Sequence, residues 1–180
     1  MRNRSIQLTQ ETNMTEYSDV DSLRLSIIDA FSHDSETFPI DDNLRRLAKE
    51  TPYDDSRELF QSLIGKKWKD LRQEDAASSD PWLTLLPREI FHYFLPGLMN
   101  LALSSNASWE FRIGLIDSLC PPSPAGKRPQ IGANTEAMSH KQIKCLSDFL
   151  KWCNEDILKN TPKIARRCDR AICEIERTEH

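Results

Sequence analysis

Residues 82–103 read WLTLLPREIFHYFLPGLMNLAL. Pro87 falls near a helix start, where its fixed φ suits the first turn and its missing N–H does no harm. From Ile90 to Leu103 the apolar residues fall on nearly every side of a helical projection. Such a pattern marks a helix enclosed by others rather than one lying on a surface. Pro96 and Gly97 in its middle delete one backbone hydrogen bond, so a kinked or broken central helix is expected.

Working towards the N-terminus, DSRELFQSLI carries Leu59, Phe60, Leu63 and Ile64 as a buried face, with Asp54 or Asp55 as the expected cap. Gly65 follows at a C-cap position that favours positive φ. The next residues, KKWKDL, read as a further helical turn with Trp68 and Leu71 turned inward, and Gln73 to Asp80 as a polar loop. A weaker helix is expected from Asp42 to Lys49, ended by Thr51-Pro52. Before it lies an acidic connector, His33 to Ile40, where Pro39 stops a regular helix. Val20, Leu23, Ile27 and Phe31 recur by three and four and define the first helix, capped by Ser18 or Asp19.

Towards the C-terminus, SWEFRIGLIDSLC fits two periods. Trp109, Phe111, Ile113 and Leu115 alternate as in a strand, whereas Trp109, Ile113, Ile116 and Cys120 fit a helix. Ser108 as a cap and the helical surroundings favour the helix. A proline-rich loop, residues 121–137, comes next. Ser139 and Gln142 then have the form of a capping box, with Ile143, Leu146, Leu150, Cys153 and Ile157 striped behind them. Thr161-Pro162 opens the last helix, whose inward residues are Ile164, Cys168, Ala171, Ile172 and Ile175. The expected fold is all-α: a single-domain bundle of about six or seven helices around a Pro-kinked central helix. Residues 1–18 are expected to be a disordered tail, with residues 1–13 an extension ahead of Met14, and residues 19–178 one helical domain.

The chain has 180 residues, 38% hydrophobic and 29% charged, with a formal net charge of -4 and a pI near 5.6. A mildly acidic chain is not steered to nucleic acid or to an anionic membrane face by its overall charge, so neither is expected as a partner. No apolar run approaches the roughly 20 residues needed to span a bilayer. The N-terminus lacks the hydrophobic stretch of a secretory signal. A soluble, cytoplasmic monomer or homodimer is therefore expected. The five cysteines (Cys120, Cys145, Cys153, Cys168 and Cys173) are odd in number and contain no CxxC pair. They read as reduced thiols used as small core residues.

No phosphate loop, nucleophile elbow, HExxH or calcium loop occurs, and the histidines (His33, His92, His140 and His180) have no ligand spacing. No cofactor, metal site or catalytic residue is assigned. His92, on the central helix, reads as a structural histidine, and a pairing of Cys145 or Cys153 with His92 or His140 has only composition in its favour. Acidic residues gather at Asp34, Glu36, Asp41, Asp42, Glu50, Asp54, Asp55 and Glu58, interleaved with Arg45, Arg46, Lys49 and Arg57. The simplest reading is a solvated face with carboxylates at helix N-termini. The second is a recognition surface for a basic protein, and the third a metal site.

The order GKKW (residues 65–68), LLPREIFHYFLPGLM (85–99) and SHKQIKCLSDFL (139–150) resembles a family of small bacterial proteins known only as a domain of unknown function. Members of that family carry a Gly-Lys-x-Trp element, an LTPEAFRYYLP-like central helix and a helix led by Ser/Thr-x-x-Gln. Pro87, Glu89, Phe91, Tyr93, Leu95 and Pro96 keep the central pattern, whereas Leu86 stands where a threonine is usual. The likeness spans roughly residues 20–155, leaving the helix after Thr161 as an addition. It implies a fold and carries no catalytic set. The expected function is a non-enzymatic interaction module, an immunity- or antitoxin-type protein that neutralises a basic bacterial toxin or effector. Its contacts are expected at the acidic segment from Asp34 to Glu58 and at the proline-rich loop around Pro121 to Pro129. The alternatives are a small hydrolase-like or metal-dependent enzyme using Asp41, Asp42, Asp54, Asp55 and His92, and a homo-oligomeric regulatory subunit.

Overall fold

The computed structural model describes residues 19–32, 40–77, 86–119, 138–157 and 161–178. The expected tail (1–18), the proline-rich loop (121–137), Asp34, Glu36 and Cys120 lie outside them. The described residues form helices α1 (19–31), α2 (Ile40–Glu50), α3 (Asp54–Leu63), α4 (Gln73–Ala77), α5 (Arg88–Ala102), α6 (Trp109–Leu119), α7 (His140–Trp152) and α8 (Pro162–Thr178). A 3₁₀ turn, Trp68–Asp70, precedes α4. One turn of π-helix, Cys153–Ile157, extends α7. The fold is all-α, with no strand among the described residues.

α5 is the centre, and it is unbroken. Phe91, Phe94, Leu95, Leu98 and Met99 are all fully buried. Each contributes roughly 1.5–3 kcal/mol by leaving water, and together they exceed the roughly 3 kcal/mol that an internal proline costs. Pro96 is thus carried inside the helix. Gly97 has a separate reason to be glycine. A Cβ there would lie 2.1 Å from the carbonyl oxygen of Trp68 and 3.0 Å from Leu71 Cδ1. The 3₁₀ turn therefore rests directly on the backbone of α5. At its C-terminus, the carbonyls of Ala102 and Ser104 accept from Arg112 at 3.0 and 2.7 Å. Arg24 of α1 reaches the Leu103 carbonyl at 3.4 Å.

Of the other helices, α4 and α6 pack directly on this axis. α2 and α3 form an antiparallel hairpin, and α8 packs back on α7. In α1, Leu23, Ile27 and Phe31 are buried as the stripe requires. The α7 capping box is complete, with Ser139 N–H donating to Gln142 Oε1 at 2.9 Å and Gln142 N–H to Ser139 Oγ at 3.4 Å. α6 resolves the two-period segment as a helix, started by Ser108 Oγ accepting from Phe111 N–H at 3.1 Å. Its buried face is Phe111, Leu115, Ile116 and Leu119, neither of the two stripes expected, and Trp109 is exposed.

Three local expectations change. The N-cap of α3 is Tyr53, and Asp54 and Asp55 sit in the first helical turn, where their charges still complement the helix dipole. α2 begins at Ile40, two residues earlier than expected, because Ile40 joins Leu44 and Ala48 on the buried face. The polar stretch after Arg72 opens with α4, whose start is held by Asp75 accepting from Arg72 N–H at 2.9 Å.

Gly97→Ala is expected to destabilise the protein by about 3 kcal/mol, since the clash is with backbone and cannot be relieved by a rotamer change. Gly65→Ala, at φ 78, is expected to cost about 1 kcal/mol. Urea unfolding of the two variants should rank them in that order.

Candidate functional site

The Gly-Lys-Lys-Trp element and the central helix meet at one joint. Gly65 N–H donates to Asp41 Oδ1 at 2.8 Å, tying the start of α2 to the end of α3. Asp70 accepts from Lys67 N–H at 3.3 Å, and Lys66 forms an ion pair with Asp75. Trp68 is buried against α5. Burial pushes the Tyr93 phenol above its ordinary value, the charges of Asp41 and Asp70 add to the rise, and a hydrogen bond with the Trp68 backbone opposes it. Most of the charged residues here are thus occupied in holding the turn on the helix.

A concave feature lies elsewhere, between α1 and α7. Asp29, late in α1, pairs with Lys141, early in α7, at 2.7 Å, so the two helices run antiparallel. Near the other end of the pair they leave a groove of about 260 Å³, lined by Asp19, Ser22, Leu23 and Ser26 from α1 and by Asp148, Lys151, Trp152 and Glu155 from α7 and its π turn. The half-buried indole of Trp152 stacks on Phe149, with ring centroids 6.2 Å apart and planes at 30°. Asp19, Asp148 and Glu155 make no ion pair among the described residues. Nothing in the local sequence marked this groove, because its walls come from opposite ends of the domain.

The acidic residues read from sequence separate into groups. Asp41 is engaged with Gly65. Asp54 pairs with Arg57 at 2.6 Å, and Arg57 also reaches the Thr51 carbonyl at 3.2 Å. Asp42, Asp55 and Glu58 are exposed and make no ion pair among the described residues. Because the hairpin is antiparallel, Asp41 and Asp42 lie at one end. Asp54, Asp55 and Glu58 start from the other, roughly 15 Å away at 1.5 Å per residue. Closeness in the chain does not make these carboxylates one site.

The histidine and thiols are placed as packing groups. His92 is half-buried and meets Phe31 edge to face at 6.4 Å. Cys145, Cys153 and Cys168 are buried free thiols and Cys173 is exposed. Burial, and then the nearby Asp148 charge, push the Cys145 thiol from 9.0 up to about 12. A thiol in that state is not a nucleophile at neutral pH. Among the described residues no group of three or more His, Cys, Asp or Glu side chains could hold a metal ion, and no helix is long and apolar enough to cross a membrane.

An all-α domain built on a proline-bearing central helix, with a polar groove on one side, is the class these features define. A family described as a family of unknown function (DUF6714) matches residues 20–165, and the chain belongs to that family. The match reaches the first turn of α8, further than the resemblance to residue 155 suggested. No curated protein and no solved structure matches the chain.

In the native protein, iodoacetamide is expected to alkylate Cys173 while sparing Cys145, Cys153 and Cys168, as read by peptide mass spectrometry. Cys145 also links stability to pH. The folded pKa is raised, so its contribution is complete below about 9 and is lost as the pH rises towards about 12. Over that window Cys145→Ala should lose stability less steeply than the parent, by up to roughly 1.4 kcal/mol per pH unit.

Proposed function

We propose that the protein is a non-enzymatic interaction module, an immunity- or antitoxin-type protein that acts in the cytoplasm by binding and neutralising a basic bacterial toxin or effector. The observation that carries this reading is the exposed carboxylates Asp55 and Glu58 on α3, with Asp42 at the far end of the hairpin, none of which has a cationic partner among the described residues. A carboxylate with no partner of its own gives up no ion pair when a cation from another protein approaches. Complementary charge of this kind raises association rates and disfavours wrong partners. The net charge of -4 acts in the same direction over longer range. An inhibitor that works by occlusion needs surface complementarity and no chemistry of its own.

Co-expression with a toxin or effector encoded next to the gene tests the reading. Growth protection and a stoichiometric complex are expected, and the double variant Asp55→Lys, Glu58→Lys should associate about tenfold more slowly or worse at low salt. Absence of both protection and complex would set the proposal aside.

A further inference from the structure

We propose that the groove between α1 and α7 is a receptor for a single arginine side chain, donated by the basic partner. The origin of that arginine rests on the reading just given; the chemistry of the groove does not. Its volume of about 260 Å³ falls below the roughly 300–1,000 Å³ typical of small-molecule pockets, which suits one long side chain better than a cofactor. Three carboxylates (Asp19, Asp148 and Glu155) and one ammonium group (Lys151) line it, so the groove is net negative. The carboxylates make no ion pair among the described residues, and they come from both walls. A cation entering between them would be approached from two sides.

Trp152 supplies the part of recognition that charge alone lacks. Its indole lines the groove and is held by the stack on Phe149, so an aromatic wall is in place without first having to be ordered. Planar cations stack on such a face, and guanidinium does so better than a lysine ammonium because it is delocalised and more weakly hydrated. The hydroxyls of Ser22 and Ser26 on the opposite wall can accept N–H groups that the carboxylates leave over. The aromatic wall adds to the preference for arginine that bidentate pairing with carboxylates already gives, and a marked preference separates a receptor from a diffuse negative patch.

The test uses the ¹⁵N-labelled full chain titrated with acetyl-Gly-Arg-Gly-amide, with the lysine and citrulline counterparts as controls. The Trp152 indole N–H, assigned by its loss in Trp152→Phe, is expected to shift saturably with the arginine peptide. The lysine peptide should bind about tenfold more weakly, and the citrulline peptide should leave the signal in place. Asp148→Asn with Glu155→Gln, both exposed positions, should weaken binding about tenfold without changing the melting temperature, and Asp19→Asn on the other wall should act in the same direction. An unmoved Trp152 signal, equal response to arginine and citrulline, or unchanged binding by the variants would overturn the receptor. A groove variant that no longer takes the peptide yet complexes the toxin with undiminished affinity would overturn the assignment of the arginine to the partner. Peptide binding at Trp152 with no toxin complex at all would leave the receptor standing and remove the toxin reading.

Discussion

The carbonyl of Trp68 occupies the space where a side chain on residue 97 would begin, and the arrangement of this protein follows from that approach. Glycine at 97 lets a turn of backbone sit on the central helix, and Pro96 beside it is carried by the burial of its neighbours. With Trp68 in place, the Lys66–Asp75 pair and the Asp70 cap fix the chain on either side. Asp41 then reaches Gly65 and ties in the hairpin. One close backbone contact thereby positions α2, α3 and α4 against α5.

Much of this architecture was legible in the residues because it is local. The stripe of Leu23, Ile27 and Phe31, the Ser139–Gln142 box and the positive φ of Gly65 are each set within a few positions of chain. α6 was harder, since Phe111, Leu115, Ile116 and Leu119 share their helix with Trp109 and Ile113, and apolar residues on several sides blur the period. The site was less legible than the fold. Asp41 is 24 residues from the amide it holds, and no pattern in the acidic segment distinguishes it from Asp42. The groove needed α1 laid against α7, which periodicity does not report.

The charges fall into two populations with different physical meaning. Those at the joint, Asp41, Lys66, Asp70 and Asp75, work at short range on backbone amides and on one another, where geometry is fixed and water is partly excluded. Asp42, Asp55 and Glu58 on the hairpin and Asp19, Asp148 and Glu155 in the groove are exposed and make no ion pair among the described residues. Exposed ion pairs contribute little to stability, so exchanging charges of the second kind has small consequences for folding and larger ones for what the surface attracts.

The antiparallel contact of α1 with α7 has a consequence for when the groove exists. The hairpin of α2 and α3 and the pairing of α7 with α8 join neighbours in the chain, and such local contacts form early and at little entropic cost. The groove walls are brought together only when the first described helix closes on one near the far end of the domain. Peripheral helices of this sort are drawn from the part of a structure that opens first. The concavity is therefore a property of the completed fold alone, and any ligand held there draws the closed state up by mass action.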